Sequence, residues 1–600
     1  MREQRYTVLV WSPKGLADLR SQAYLDKKQE FLNGILLLQR LSSFRPRDAL
    51  SAENLIALLE ETEKLKETLM TCCKAAETIA AADSKISAEK VSVVEKALIL
   101  RKVSQEIQHY FQEALNGQIF TSDTVKKWLE EKRKIGSKSP QGLDDKVDML
   151  VLEPLFSLYF HMKGSLQTTV IFPDGSIKRA SPSVINFLLK NTAEPEKRKR
   201  IFNALSVSFA QNSTVFCDIL NSVSGAHLLH ASRNNLTILE YALAQENMGR
   251  AAFDAVTVAY WEKMPELRKM IRFIGSCLEN ETSRSLPAAL LGAALPHLSC
   301  PAHLRSFEVT LQVLEKAVRD VFPNFSEFIE ECRKGRWIET HNYSAGAGGA
   351  WCAEIPSNRA VAVYVDYEAN IHRAFETAHI LGDAFLRWTT FEVPYHQRRL
   401  SELRCEFIGR LFEELLLRHL LTCAQKPEDK CSILWHGLRR LAINLVQIPF
   451  RFRLVERIYA ERSNGYLSVE KINDLTRTCW IHFFQDTVEG VDQYIWARKP
   501  HFYNPMTPHH DFQYTIGFLS ANLLIASLKN QQGTEELGKS ILKACALHPY
   551  EEIFRRFLSA DIEQKEIWKK AIDEALLPMR EIKSYMSYIF PKESSSYSLD

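Results

Sequence analysis

The stretch "HRAFETAHILGDAFLRW" (372–388) carries residue types that could hold a metal ion. Two imidazoles four residues apart lie about one turn from each other on a helix face, so both can reach one ion. A glutamate directly after the first serves as base toward a metal-bound water. A third protein ligand comes from elsewhere and leaves one coordination position open. Here His379 holds the first ligand position, Ile380 stands where the base belongs, and Asp383 holds the second ligand position. Ile380 accepts no proton, and loss of a positioned base removes roughly 10² to 10⁴ in rate. Asp383 offers oxygen with a shorter reach than histidine, and carboxylates suit a harder ion than zinc. Its bland reading is a surface pair with Arg387, four residues on, worth little. His372 lies seven residues before His379, about 10 Å along the axis, too far to share an ion.

The surroundings of this stretch give it context. Just before it, "GGAWCAEIPSNRAVAVYVDYEA" (348–369) has a glycine-rich lead-in, a Pro-Ser-Asn turn and alternating apolar residues, which predicts two strands among helices. A second helix follows in "ELRCEFIGRLFEELLLRHLL". Near the N-terminus, "LSAENLIALLEETEKLKETLMTCCKAAETIAAADSKI" and "SVVEKALILRKVSQEIQHYFQEALN" repeat apolar residues at spacings of three and four, predicting a helical hairpin or bundle with Ser51 as an N-cap. Residues 132–148 are Gly/Pro/Ser/Lys-rich and read as a connection. "QTTVIFPDGSIK" predicts a small hairpin. "EPEKRKR" (194–200) reads as a solvated helix start. Two motifs are set aside. "AGAGGA" (345–350) lacks the Gly-Lys-Ser/Thr of a phosphate loop, and "HLLH" (227–230), without an acid, reads as packing.

Bulk properties narrow the classes. At 600 residues the chain exceeds what one core fills, so two lobes or more are expected. Charged residues make up 25% and nearly cancel, at a net +3, which argues against nucleic acid or an anionic membrane as the main partner. No apolar run approaches the roughly 18 to 20 residues that span a bilayer. The first residues lack the apolar segment of a signal peptide, so a cytoplasmic location is expected. The 12 cysteines include no C-x-x-C pair and read as small buried hydrophobes.

The order and texture of these segments resemble the oligoendopeptidase F family of thimet-type zinc oligopeptidases, over most of the chain. The family's strand lead-in matches "GGAWC", and its metal helix matches "ETAHILGDA", with Thr377, His379 and Gly382 recognisable. "CEFIGRLFEELLL" matches the helix that carries its third ligand, placing that ligand at Glu406 and a second acid at Glu413. His501-Phe502-Tyr503 and the run from Pro508 to Gly517 match its late segments, although a tyrosine expected near 510 is His510. Trp11, the hairpin near 170 and "RWIE" (336–339) also have counterparts.

The resemblance implies a mainly α fold: a two-lobed, bowl-shaped, zincin-like oligopeptidase with a deep channel and a small β element beside the active-site helix. It implies an N-terminal helical lobe (1–195), a peptidase domain (196–592) and a disordered tail (593–600). It implies zinc held by His379, Asp383 and Glu406, with His501, His510 and Tyr514 around the reacting carbonyl. It implies oligopeptides held along an edge strand near 355–367, with Gly349, Ala350, Trp351, Cys352 and Tyr364 contributing. With base and second ligand changed and the tyrosine replaced, the expectation is a catalytically impaired or inactive homologue, weak or empty in zinc, that retains oligopeptide binding. The alternatives are an active zinc peptidase using Glu376 or Glu413 as substitute base, and a purely structural scaffold. No oligomeric state is implied.

Overall fold

The apolar spacing of the N-terminal third folds into three long helices: α1 (Gln22–Ser43), α2 (Ala49–Ile79) and α3 (Ser84–Asn116). A computed structural model describes residues 16–585 apart from 80–83, 137–144, 280–284, 294, 296, 297, 299, 302, 303, 305, 341–348, 399, 506 and 529–533. Trp11, the tail, most of "AGAGGA" and the middle of the 132–148 connection lie outside the described residues. Helix α2 buries Leu55, Leu59, Leu69, Cys72 and Ala76 and packs on α1 and α3. Ser51 is not its N-cap. The helix starts two residues earlier, and the Asp48 carboxylate accepts the Ser51 N–H at 2.8 Å, a stronger acceptor for an orphan amide than a hydroxyl.

The hairpin is as expected: β1 (Thr168–Ile171) pairs antiparallel with β2 (Ile177–Ala180), and Gly175 takes φ +80° in the turn. The basic cluster departs from its reading in one residue. Arg198 is buried at 5% exposure and donates to Ala289 O at 2.8 Å, because the neighbouring segment folds over it. His227 and His230 are packed: His227 bonds Tyr459 Oη at 2.7 Å and Pro505 O at 3.1 Å, and His230 meets the Tyr241 ring. All twelve cysteines are free, and all but Cys300 and Cys423 are buried. Among the described residues no helix is long and apolar enough to cross a membrane.

The β element holds three strands: β3 (Ile338–Glu339), β4 (Ala350–Ile355) and β5 (Ala360–Val365), in the order β3-β5-β4. Strand β5 is buried along its whole length, as expected for a strand paired on both sides. The free edge is therefore β4, and the expected edge at 355–367 shifts to 350–355. Helix α4 (Ile371–Thr389) follows directly, and Asn370 caps it by accepting the Arg373 N–H at 2.9 Å. Helix α5 (Glu402–Cys423) packs between α4 and α7 (Phe512–Leu528), with α6 (Pro427–Ala442) against α5. Three glycines set this spacing. A Cβ at Gly382 would lie 2.7 Å from the Phe412 ring, one at Gly409 2.8 Å from the His379 ring, and one at Gly517 2.9 Å from Glu406 Cβ. No side chain fits at those distances, so the helices close onto the residues that matter below.

Candidate active site

Helix α4 presents His379 and Asp383 one turn apart, and α5 presents Glu406, Arg410 and Glu413 opposite. The structure brings His379 and Glu406 together and sends Asp383 elsewhere. His379 Nδ1 stands 2.8 Å from Glu413 Oε1, and Nε2 stands 3.5 Å from Glu406 Oε1. With a carboxylate at each nitrogen, the ring is held as a double donor. Burial opposes its charge, but Glu406 and then Glu413 outweigh it and raise the imidazole to about 10.

Each carboxylate on this seam also meets a guanidinium. Arg410 Nε donates to Glu406 Oε2 at 3.1 Å, and Arg410 Nη1 to Glu413 Oε1 at 2.9 Å. Arg440 Nε, from α6, donates to Glu413 Oε2 at 2.8 Å. Burial pushes both carboxyls up, but Arg410 and His379 hold Glu406 below the usual range, and Arg410 and Arg440 do the same for Glu413.

Asp383 belongs to a separate cluster. Its Oδ1 accepts from Arg387 Nε at 2.9 Å, and its Oδ2 accepts from Cys352 Sγ at 3.0 Å. Arg387 Nη2 also reaches Cys405 Sγ at 3.1 Å. This is not the surface pair expected from spacing. The side chains are 14% and 19% exposed, covered by β4 and α5, and Arg387 outweighs burial to keep the Asp383 carboxyl low. Among the described residues no three His, Cys, Asp or Glu side chains converge as a metal cage.

The other expected residues fall into two places. His501, His510 and Tyr514 gather: His510 Nε2 lies 3.0 Å from Tyr514 Oη, and the His501 ring is 5.7 Å from both partner rings. Burial, and then Arg451, hold His501 neutral, and burial, and then Glu406, push the Tyr514 phenol up. Gly349 takes φ +143°, a conformation that favours glycine, where its carbonyl accepts the Asp366 N–H at 3.0 Å. Ala350, Trp351 and Cys352 lie on the free edge strand. Tyr364 lies in the middle strand at 3% exposure, behind that edge. Ile380 is a half-buried side chain packed on the core.

Sequence reasoning missed Arg410, Arg440, Gly409 and Cys405. One signal for Arg410 was present: it follows Glu406 by four residues, as Arg387 follows Asp383.

Comparison with known proteins places the fold. No family model matches the chain. Its fold superposes on Pz peptidase A at a TM-score of 0.73, covering 93% of this chain and 97% of that one at 15% identity. It superposes on oligoendopeptidase F from Enterococcus faecium at 0.64, covering 93% and 99% at 15% identity. The fold is that of the helical oligopeptidases. In sequence the chain is similar, at a distance, to oligoendopeptidase F. It is 22% identical over 335 residues to the plasmid-encoded oligoendopeptidase F of Lactococcus lactis subsp. cremoris, a match spanning 54% of each chain. The matched stretch thus covers about half the length of that curated relative.

Proposed function

We propose that this chain is an oligopeptide-binding homologue of oligoendopeptidase F whose hydrolytic site is impaired and whose residues do not fit zinc. The observation that carries the reading is the pair of guanidiniums on the would-be ligands. Arg387 and Arg410 each stand one helical turn after a carboxylate and bind it directly. Zinc requires its carboxylate and imidazole ligands deprotonated and free to donate. Here the imidazole nitrogens face carboxylates that favour its protonated form, and the site's negative charge is already balanced by arginine. A divalent cation would meet those two positive side chains at close range.

The substitute bases fare no better. Glu376 pairs with Arg373, and Glu413 is held by Arg410 and Arg440 as a carboxylate of low basicity. A base so stabilised in its charged form abstracts a proton poorly. Retained peptide binding is supported by the survival of the β4 edge and the His501–His510–Tyr514 cluster. The test is elemental analysis of purified protein alongside cleavage of a quenched fluorescent peptide. The reading expects substoichiometric zinc and no chelator-sensitive cleavage. One zinc per chain, with cleavage abolished by chelator and by His379→Ala, overturns it.

A further inference from the structure

The free edge of the β element is not empty. In β4, Gly349 O pairs with Asp366 N, so the alternating ladder turns the main-chain groups of residues 350, 352 and 354 away from β5. Such outward groups are what an added extended chain binds. Two of these carbonyls already have donors from α2, a helix some 280 residues away in sequence. Thr71 Oγ1 donates to Glu354 O at 2.7 Å, sharing its proton with Glu67 O at 3.0 Å within its own helix. Lys74 Nζ reaches Cys352 O at 3.5 Å and lies 5.0 Å over the Trp351 ring. On either side, Thr68 Oγ1 meets Ser357 Oγ at 3.0 Å, and Trp351 Nε1 donates to Thr78 Oγ1 at 2.8 Å. Spacings of three, three and four put Thr68, Thr71, Lys74 and Thr78 on one helix face. That polar stripe interrupts a helix whose remaining buried face is largely apolar, and every member of it touches β4 or the turn after it.

We propose that α2 is an internal occupant of the peptide-binding edge: Thr71 and Lys74 hold the carbonyls that a peptide's N–H groups would take, so a bound oligopeptide and α2 compete for β4. The proposal rests on the peptide-binding reading above. At the β4 edge itself the exchange replaces hydrogen bonds by hydrogen bonds, so that local term lies near balance. Strand β4 also reaches the site, because Cys352 Sγ donates to Asp383. Release of α2 therefore frees the outer edge of the strand that holds Asp383.

The test fixes α2 in place and then frees it. Thr68→Cys with Ser357→Cys, in a Cys423→Ser background, puts two thiols where two hydroxyls now touch. Diamide oxidises them to a disulfide, checked by mass, and dithiothreitol reopens it. The probe is a fluorescein-labelled ten-residue casein peptide followed by anisotropy. The oxidised form is expected to bind at least tenfold more weakly than the reduced form, and Thr71→Val/Lys74→Met to bind more tightly than the parent. Equal affinity in oxidised and reduced forms overturns the competition while leaving peptide binding intact. Where the disulfide does not form, equal affinity of the Thr71→Val/Lys74→Met variant and the parent overturns it likewise. No binding by any form, including that variant, removes the peptide-binding reading and the competition with it.

Discussion

Two halves of the site, both lined by α5 and α7, solve their polar accounting in opposite ways. On the α4–α5 seam every ionised group has an internal counter-charge: His379 between Glu406 and Glu413, those two on Arg410, and Glu413 also on Arg440. In the C-terminal cluster burial keeps His501 and Tyr514 neutral, and the Nδ1 atoms of His501 and His510 are buried with no hydrogen-bond partner among the described residues. Buried polar atoms are nearly always paired. A half that is complete by itself has nothing left to offer an ion. A half with donors and acceptors still unspent is where a ligand can gain. The difference separates loss of metal chemistry from loss of binding.

The largest expected effect strikes the charged half. Arg410→Met leaves Glu406 and Glu413 buried without their shared counter-ion, and breaking a buried ion pair costs about 3–5 kcal/mol. Chemical denaturation should show that loss; a change below about 1 kcal/mol would mean the seam is not held by charge. Next comes the pH dependence of His379. Its folded value, about 10, lies above its ordinary value of 6.5, so its stabilising contribution is complete below the ordinary value and is lost as pH rises through the folded one. Wild-type protein should therefore lose stability between neutral and alkaline pH by more than a His379→Gln variant does. Parallel curves for the two proteins would place the charge elsewhere.

A restoration experiment sharpens the same contrast. Ile380→Glu with Asp383→His rebuilds the zinc-helix pattern in sequence. The double variant is expected to purify without stoichiometric zinc, because Arg410 still holds Glu406 and Arg387, still beside the new histidine, keeps only Glu354 as its carboxylate partner. Adding Arg410→Gln should raise zinc affinity by at least about tenfold, the equivalent of about 1.4 kcal/mol. Full zinc occupancy in the double variant alone, read by metal analysis, would show that the guanidiniums are no obstacle.

What the sequence disclosed follows the range of the interactions. Helix α4, the two-strand element and the 168–180 hairpin rest on local spacing and turn residues, and each was legible. Ser51 failed locally, because Asp48 three residues earlier is the better cap. Arg387 was visible as an i+4 partner of Asp383, but its burial depends on β4 and α5, which no spacing within α4 reveals. The edge strand was misplaced by one strand for the same reason: β3, a two-residue strand at 338–339, pairs with 363–364 and puts β5 in the middle. The contact of α2 with β4 joins segments that carry no shared local signal. Gly409, by contrast, is a single residue whose meaning appears only when the His379 ring is seen against it.

The smallest expected effect on stability belongs to the neutral half, and it is the most discriminating. His510→Phe removes one hydrogen bond, to the Tyr514 hydroxyl, and leaves no ion pair broken, so it should cost about 1–3 kcal/mol. If the unpaired nitrogens of this cluster serve a ligand, the same variant should weaken binding of the labelled casein peptide several-fold. Arg410→Met should show the reverse balance, a large stability loss with binding changed only as far as the fold is. A His510→Phe protein that is as destabilised as Arg410→Met, and binds peptide as the parent does, would erase the distinction. Both halves would then be structural, and the purely structural scaffold would become the better account of the chain.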